Sequence, residues 1–300
     1  MILRSTRTIL TNSFQQSLKI LRNSSTKAVQ LSFLEFTKGN PNKDDNLIVL
    51  HGLFGSKNNW NSLSKAFAAQ TKPSRRIFAI DARNHGDSPH TEEHSYELMA
   101  LDIKKFMEDQ KIKKSAILGH SMGGRAVINF ALKFPELIEK LVVVDISPVG
   151  KIGTSQSDIP LFIHAMKTTE IPNNYTIHQG RAVADEKLKE IINEKSLRDF
   201  LITNLTKTES GEFKWRINLD TLEKCFYEHI ANFPDITNMK FDGPTLFVAG
   251  SKSDYVKPSD EPVIKKIFPN SQIEFLDAGH WVHAEKSSEF LSLVLKFLNN

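Results

Sequence analysis

The fold of this chain is decided by the stretch Ala116-Ile117-Leu118-Gly119-His120-Ser121-Met122-Gly123-Gly124-Arg125-Ala126. An apolar run leads into a serine that has a glycine two residues before it and another two residues after it, and a helix-like pattern follows. This order predicts a strand, a sharp turn and a helix, with Ser121 held in a strained conformation at the turn. A side chain on either flanking glycine would collide with a neighbouring strand or helix. We therefore predict a nucleophile elbow; the alternative is a turn whose serine merely caps the helix.

The overall composition is typical of a globular chain. The 300 residues are 40% apolar and 25% charged, enough for one large α/β domain or two smaller ones. No apolar run approaches the length of a membrane span. Cys225 is the only cysteine, so no intrachain disulfide can form, a reducing compartment is expected, and the thiol is predicted to pack within a helix. We find no metal cluster or dinucleotide fingerprint in the sequence, so neither a metal nor a cofactor is expected.

The positive charge is concentrated at the N-terminus. Residues 1–27 hold five Lys or Arg and no acidic residue, so the formal net charge of +4 becomes −1 for the remaining chain. The positive net charge of the whole chain therefore does not indicate a surface that binds nucleic acid. This segment is rich in Ser and Thr, with apolar residues interleaved among the cations, which predicts a mitochondrial presequence and a location in the matrix. The alternative is a basic tail or amphipathic helix that stays on the mature protein.

After this segment, apolar strands alternate with helices and short connections. Strands are predicted at 29–36, 47–50, 76–80, 115–118, 141–144, 245–249 and 272–276. This alternation predicts an α/β fold with a mostly parallel sheet and helices on both faces.

The alternation stops between about residues 148 and 238, where the pattern becomes helical. Helices are predicted near 157–169, 179–193, 196–206 and 219–232. An insertion of this length is not a loop, and its place after the sixth strand of the conventional hydrolase count predicts a helical cap over the carboxyl edge of the sheet. The predicted division is a core of residues 28–147 and 239–300 with a cap of residues 148–238.

A general base for Ser121 is expected in the loop after the last strand. With a nucleophile elbow, the chain order of the catalytic groups is serine, acid and histidine. His280 lies in this last loop, and Gly279 lets the backbone turn its imidazole inward. His283 is closer to the final helix and is predicted to be a cap or surface residue. We therefore predict His280 as the base.

Two carboxylates compete to orient that histidine. Asp254 follows the seventh strand of the conventional count, which is the usual position of the acid in chain order. The acid commonly lies three residues before a valine in this loop, and that position is held by Ser253 rather than by Asp254. Asp145 ends the strand beside the nucleophile strand, from which a carboxylate can reach the same imidazole. The residues by themselves leave both acids open.

The loop at residues 51–56 is expected to complete an oxyanion hole with the amide of Met122. Its second donor is predicted to be the amide of Leu53, with that of Phe54 as a weaker candidate. His51 precedes the nucleophile and is predicted to tie this loop down by a hydrogen bond.

A second polar loop, residues 81–89, is a candidate rim of the active site. Its Asp81 and Arg83 are predicted to be structural residues that lock the loop by an ion pair.

Five motifs together cover nearly everything after residue 27. They read His51-Gly52-Leu53-Phe54-Gly55-Ser56, Asp81-Ala82-Arg83-Asn84-His85-Gly86-Asp87-Ser88-Pro89, Gly119-His120-Ser121-Met122-Gly123-Gly124, Val144-Asp145-Ile146-Ser147-Pro148 and Ala278-Gly279-His280-Trp281-Val282-His283. As a set they resemble the abhydrolase domain-containing protein 11 family and its small bacterial esterase relatives. The resemblance implies the α/β-hydrolase fold, assigns the acid to Asp145 and gives Ser253 an assisting role. The chain departs from the family pattern in having Arg125 where lysine is common and Asp254 beside Ser253.

The combined prediction is a serine hydrolase that cleaves esters or thioesters of small to medium acyl chains. Its predicted catalytic residues are Ser121, Asp145 and His280, with Asp254 as the alternative acid. The predicted aromatic lining of the substrate pocket is Phe54, Phe162, Trp215, Tyr255 and Trp281. The expected partner is a small acyl ester or thioester, and a protein partner is left open.

Two other functions remain compatible with this sequence. An acyltransferase could use the same three residues if an alcohol replaced water. A non-catalytic member of the fold could instead bind and stabilise another mitochondrial protein.

Overall fold

A computed structural model describes residues 27–148 and 158–300. The predicted presequence, except for its last residue, lies outside the described residues, as do residues 149–157 at the start of the predicted cap. In the described part of the chain, no helix is both long enough and apolar enough to span a bilayer.

The centre of the molecule is a seven-stranded sheet. Its strands are β1 (Phe33–Phe36), β2 (Asn46–Leu50), β3 (Arg76–Ile80), β4 (Ser115–His120), β5 (Ile138–Val144), β8 (Thr245–Gly250) and β9 (Ser271–Leu276), while β6 (Leu205–Lys207) and β7 (Phe213–Trp215) form a separate hairpin. The order across the sheet is β1-β3-β2-β4-β5-β8-β9. Only β1 pairs antiparallel with its neighbour, and all other adjacent strands of this sheet are parallel. The predicted mostly parallel α/β sheet is confirmed.

Helices cover both faces of this sheet. They are α1 (Asn61–Gln70), α2 (Tyr96–Asp109), α3 (Met122–Lys133), α8 (Glu261–Ile267), α9 (Val282–Glu285) and α10 (Ser287–Asn299). Successive side chains of a strand point to opposite faces, so Ile48 belongs to the apolar cluster that includes α2, α3 and α8, whereas Val49 belongs to the one that includes α1 and α10. Burial on both faces explains why the central strands read as uninterrupted apolar runs. Ser95 caps α2 by accepting a hydrogen bond from the Leu98 amide.

The insertion between β5 and β8 is mainly helical. It contains α4 (Ile159–Lys167), α5 (Ile177–Lys189), α6 (Lys195–Ile202) and α7 (Leu219–Cys225), followed by a wide helical turn at Phe226–Ile230. Cys225 is buried at the end of α7, which agrees with the prediction.

The predicted helix over residues 196–206 is wrong in its last turn. The helix α6 ends at Ile202, and residues 205–207 pair antiparallel with residues 213–215. Gly211 has a φ of 87° in the connecting turn, a conformation that favours glycine and reverses the chain. Strands of three residues are too short to show a periodic pattern in the sequence.

The loop at residues 81–89 attaches the insertion to the core. The Asn218 amide donates to the Asn84 carbonyl at 3.0 Å, and Arg216 forms an ion pair with Asp87. Asp81 and Arg83 are buried and structural, but they are not paired with each other. Lys57 Nζ lies 2.5 Å from Asp81, whereas Arg83 Nε lies 2.6 Å from Asp102.

Candidate active site

Ser121 stands at the tip of a sharp turn between β4 and α3. Its backbone angles are φ 54° and ψ −117°, a strained conformation for a residue other than glycine. The flanking glycines make the turn possible because a Cβ on Gly119 would lie 2.3 Å from the Gly123 carbonyl oxygen. A Cβ on Gly123 would lie 2.4 Å from the His51 carbonyl oxygen. The predicted strained turn between strand and helix is therefore present.

Three side chains meet at the carboxyl edge of the sheet. His280 Nε2 lies 2.9 Å from Ser121 Oγ, and His280 Nδ1 lies 2.7 Å from Asp145 Oδ2. A carboxylate only accepts hydrogen bonds, so Nδ1 of the neutral ring carries the proton and Nε2 is free to accept the proton of Ser121. The Asp145 side chain is fully buried, whereas that of His280 is 20% exposed. This arrangement can convert a serine hydroxyl into a nucleophile.

The carboxylate of Asp145 is held by two further donors. The Gly250 amide donates to Oδ1 at 2.9 Å, and Ser253 Oγ donates to Oδ2 at 2.5 Å. Ser253 therefore contacts the acid rather than the imidazole. Asp254 lies apart from this cluster, because its side chain is 63% exposed and its nearest cationic partner is Lys257 at 3.7 Å. The structure brings Asp145, and not Asp254, to the histidine.

Two further residues hold His280, one at its ring and one at its backbone. Tyr255 stacks on it with a centroid distance of 3.9 Å and an interplanar angle of 16°. His120 Nε2 donates to the backbone carbonyl of His280 at 2.9 Å. Neither contact follows from the sequence motifs, although His120 is part of the elbow. The stacking on Tyr255 limits the rotation of the imidazole, and the hydrogen bond from His120 holds the backbone that carries it.

His283 is not the cap or surface residue that the sequence predicts. It is buried, and its ring stacks on Trp60 with a centroid distance of 4.4 Å and an interplanar angle of 11°. The short helix α9 turns this side chain back into the core, beside His120. Burial, with a smaller contribution from nearby His280, lowers the pKa of His283 to about 3.

We expect His283 to reduce stability as the pH falls below the histidine pKa of about 6.5 in the unfolded chain. Because its folded-state pKa is lowered to about 3, the unfolded state binds the extra proton between these values, and stability decreases towards acid. One such group contributes a slope of about 1.4 kcal/mol per pH unit. His283→Phe keeps a ring on Trp60, so urea unfolding between pH 4 and 6 should show a slope smaller by about one proton. The exposed His178→Gln is the control, and an unchanged slope in His283→Phe would contradict the expectation.

The loop after β2 brings backbone amides to Ser121. Leu53 and Met122 both line the cavity that contains the serine. The Phe54 amide donates to His85 Nε2 at 3.2 Å and is therefore occupied. Among the described residues, nothing accepts from the amide of Leu53. The geometry leaves Leu53, rather than Phe54, free to serve an oxyanion.

Two buried histidines hold this loop in place. His51 Nε2 accepts from the Ala82 amide at 3.0 Å, in keeping with the predicted tethering role. Burial lowers the pKa of His51, and burial lowers the pKa of His85 to about 3, so both rings are neutral and can accept hydrogen bonds. The sequence did not predict that His85 accepts a hydrogen bond from the Phe54 amide. The only indication in the sequence was the position of His85 in the polar loop at 81–89.

The cavity beside Ser121 is small, with a volume of about 30 Å³. Its described walls are formed by Leu53, Tyr96, Met122, Arg125, Ile146, Ile159, Phe226, Ile230, Ala231 and Tyr255. Of the predicted aromatic lining, Tyr255 lies on these walls. The described walls do not include the other four aromatics. Phe54, Phe162 and Trp215 belong to an apolar cluster formed mainly by the insertion between β5 and β8, and Trp281 lies near Phe200.

The fold and this cluster define an α/β hydrolase. A family model described as the alpha/beta hydrolase fold matches residues 45–287, and the chain belongs to this family. It is 45% identical over 253 residues to a mouse protein named sn-1-specific diacylglycerol lipase ABHD11, covering 84% of this chain and 80% of that relative. The predicted resemblance to the abhydrolase domain-containing protein 11 family is thus confirmed.

A bacterial relative and a solved structure are each similar over about nine-tenths of this chain. Esterase YbfF of Escherichia coli is 30% identical over 273 residues, covering 91% of this chain and all of the relative. A solved structure titled marine microorganism esterase is 33% identical with a TM-score of 0.77, covering 90% of this chain and all of that one.

Proposed function

We propose that this carboxylic ester hydrolase forms an acyl-enzyme on Ser121. Its relatives include proteins named lipase and esterase. The observation that carries the proposal is the continuous path from Ser121 Oγ to His280 Nε2 at 2.9 Å and from His280 Nδ1 to Asp145 Oδ2 at 2.7 Å. Each of the three groups can therefore act on the next without rearrangement of the backbone.

In the first half-reaction, Ser121 Oγ attacks the ester carbonyl while His280 Nε2 takes the hydroxyl proton. Asp145 stabilises the imidazolium that forms. The negative oxygen of the tetrahedral intermediate accepts hydrogen bonds from the amides of Leu53 and Met122, the latter at the positive end of α3. When the intermediate collapses, His280 gives its proton to the departing alcohol, and the acyl group remains on Ser121.

In the second half-reaction, water replaces the alcohol. His280 takes a proton from the water as its oxygen attacks the acyl carbonyl. The bond to Ser121 Oγ then breaks, the serine recovers its proton from His280, and a carboxylic acid leaves. A thioester would react by the same steps with a thiol as the leaving group.

We further propose substrates with small to medium acyl chains. A cavity of about 30 Å³ has room for a small group, so a long acyl chain requires displacement of the cap residues that close it. The mouse and zebrafish relatives are named sn-1-specific diacylglycerol lipases, which makes short-chain diacylglycerols appropriate test substrates. Rates across 4-nitrophenyl esters from two to twelve carbons should decrease at the long end.

The acyl-enzyme is tested by a fluorophosphonate probe and by rapid-mixing kinetics. We expect stoichiometric labelling on the tryptic peptide that contains Ser121, and a burst of 4-nitrophenol equal to the enzyme concentration when deacylation is the slow step. Prior heat denaturation is the control and should abolish labelling. A folded protein that neither reacts with the probe nor hydrolyses any ester in the series would favour the non-catalytic binding protein instead.

An acyltransferase is the second candidate, because a relative from Saccharomyces cerevisiae is named probable alcohol acetyltransferase. That relative is 34% identical over 272 residues, covering 84% of this chain and 76% of its own length. Adding ethanol to the ester assay and quantifying ethyl ester against free acid separates the two reactions. Free acid as the main product supports hydrolysis.

We also propose import into the mitochondrial matrix. The support is the excess of five cations over no acids in residues 1–27. Fusing residues 1–27 to a fluorescent protein should direct it to mitochondria, whereas a fusion of residues 28–300 should remain outside them.

A further inference from the structure

Arg125 is a buried cation on the wall of the cavity that contains Ser121. It lies one helical turn after Ser121 in the chain, and both residues line this cavity. The residue is 4% exposed. A full positive charge therefore lies next to the proposed reaction centre and is shielded from bulk water.

Within residues 27–148 and 158–300, this guanidinium has no carboxylate partner. Its Nη1 donates to the carbonyls of Ile230 at 3.2 Å and Ala231 at 3.1 Å. The rings of Tyr96 and Phe233 lie 5.9 and 5.6 Å from its Cζ. Its Nε is buried without a hydrogen-bond partner, and the Arg125 side chain is also hydrogen-bonded to that of Tyr96, which lines the same cavity.

The other buried arginines of the described chain differ in this respect. Each forms an ion pair with a carboxylate at 2.6 or 2.7 Å; they are Arg75, Arg83 and Arg198. Burying an unpaired charge is far less favourable than burying a paired one, because the lost hydration is not replaced. Arg125 lacks such a carboxylate among the described residues, and its unpartnered Nε belongs to a residue that lines the cavity.

We propose that Arg125 binds a carboxylate of the substrate, so that the preferred esters are anionic. This inference rests on the proposed ester hydrolysis at Ser121. A guanidinium offers a planar pair of donors that matches a carboxylate, and the small cavity suits such a group better than a long alkyl chain. The matching substrates are half-esters of short dicarboxylic acids, with the charge on the acyl side, or acyl esters of short hydroxy acids, with the charge on the alcohol side.

Two pairs of esters test this substrate class, each pair differing only in a carboxylate replaced by an isopropyl group of similar shape. Monoethyl succinate against ethyl 4-methylpentanoate places the charge on the acyl side. 3-Acetoxypropanoate against 3-methylbutyl acetate places it on the alcohol side. Hydrolysis adds water across the ester bond to give one acid and one alcohol, so a pH-stat follows all four reactions by the proton released.

For the wild-type protein, we expect kcat/KM to favour the charged member of one pair by about 10- to 100-fold, the range expected for a charge-assisted hydrogen bond. The pair that shows the preference identifies the side on which the carboxylate binds. Equal or lower kcat/KM for the charged member of both pairs would overturn the inference while leaving ester hydrolysis intact. If none of the four esters is hydrolysed while the 4-nitrophenyl esters are, the inference is overturned and ester hydrolysis stands. If the folded protein also fails with the 4-nitrophenyl esters and the fluorophosphonate probe, the proposed function is overturned as well.

Two variants then assign the preference to this side chain. Arg125→Met keeps an unbranched apolar side chain but removes the guanidinium and its charge, so the ratio of kcat/KM between charged and neutral esters should fall by at least tenfold. Arg125→Lys keeps the charge without the planar fork, and should retain part of the ratio. A ratio that is unchanged in folded Arg125→Met contradicts the assignment. If that variant does not fold, the wild-type ratios and those of Arg125→Lys still decide the question.

Discussion

Ser121→Ala is expected to reduce kcat for ester hydrolysis by about 10⁵- to 10⁶-fold, because the nucleophile is removed while the backbone amides of the cavity remain. Labelling by a fluorophosphonate should be lost completely. The turn itself should survive, since alanine and serine meet the same backbone strain at a φ of 54°. The residual rate would measure what Leu53, Met122 and substrate binding contribute without covalent catalysis.

The matched control for this variant is Ser251→Ala, an exposed serine in the loop after β8. It should keep both the labelling and the rate of the wild type. Circular dichroism and thermal unfolding should show that all three proteins are folded. Turnover by purified Ser121→Ala within tenfold of the wild type would rule out the acyl-enzyme on this residue.

Asp145→Asn is expected to lower kcat by about 10⁴-fold. In the wild-type protein, the Asp145 carboxylate accepts hydrogen bonds from His280, Gly250 and Ser253. An amide has one accepting oxygen, so its NH2 group would have to face a donor, and the favourable tautomer of His280 would be lost. The imidazole would then present a proton to Ser121 rather than accept one. Measuring kcat and KM separately should place the loss in kcat, because the acid does not line the substrate cavity.

Asp254→Asn tests the alternative acid with the same chemical change. Its side chain is 63% exposed and lies 3.7 Å from Lys257, so kcat should stay within twofold of the wild-type value. The reverse pattern, with a large loss in Asp254→Asn and a small one in Asp145→Asn, would move the acid to the loop after β8. It would also require that loop to rearrange in solution.

Much of the fold could be predicted because buried parallel strands and a strained turn leave direct marks in a sequence. The run before Gly119 is apolar because both faces of β4 are covered, and Gly119 and Gly123 are glycines because carbonyl oxygens lie where a Cβ would be. The hairpin at 205–215 was missed because each strand has only three residues. His283 was placed wrongly because its burial depends on Trp60, which lies over two hundred residues away in the chain.

The candidate site likewise contains residues that the sequence predicted and residues that it did not. Ser121 and His280 were selected by their motifs and chain order, and their catalytic roles stay predictions until the variants are made. The choice of acid could not be made from loop spacing, because it depends on where the chain turns after each strand. The aromatic lining was predicted from residue type, and of those side chains only Tyr255 lies on the described wall of the cavity.

The sequence by itself determined the local chemistry: which serine sits in a strained turn, which strands are buried on both faces, and which histidine follows the last strand. Those properties depend on neighbouring residues and on the periodicity of side chains, both of which are written in chain order. Tertiary structure alone decided which distant groups meet. It places Asp145, Ser253 and His280 in contact. It pairs the Phe54 amide with His85, and it gives Arg125 no carboxylate partner among the described residues. Such pairings depend on three-dimensional packing of segments that are far apart in the chain, and no local pattern specifies them.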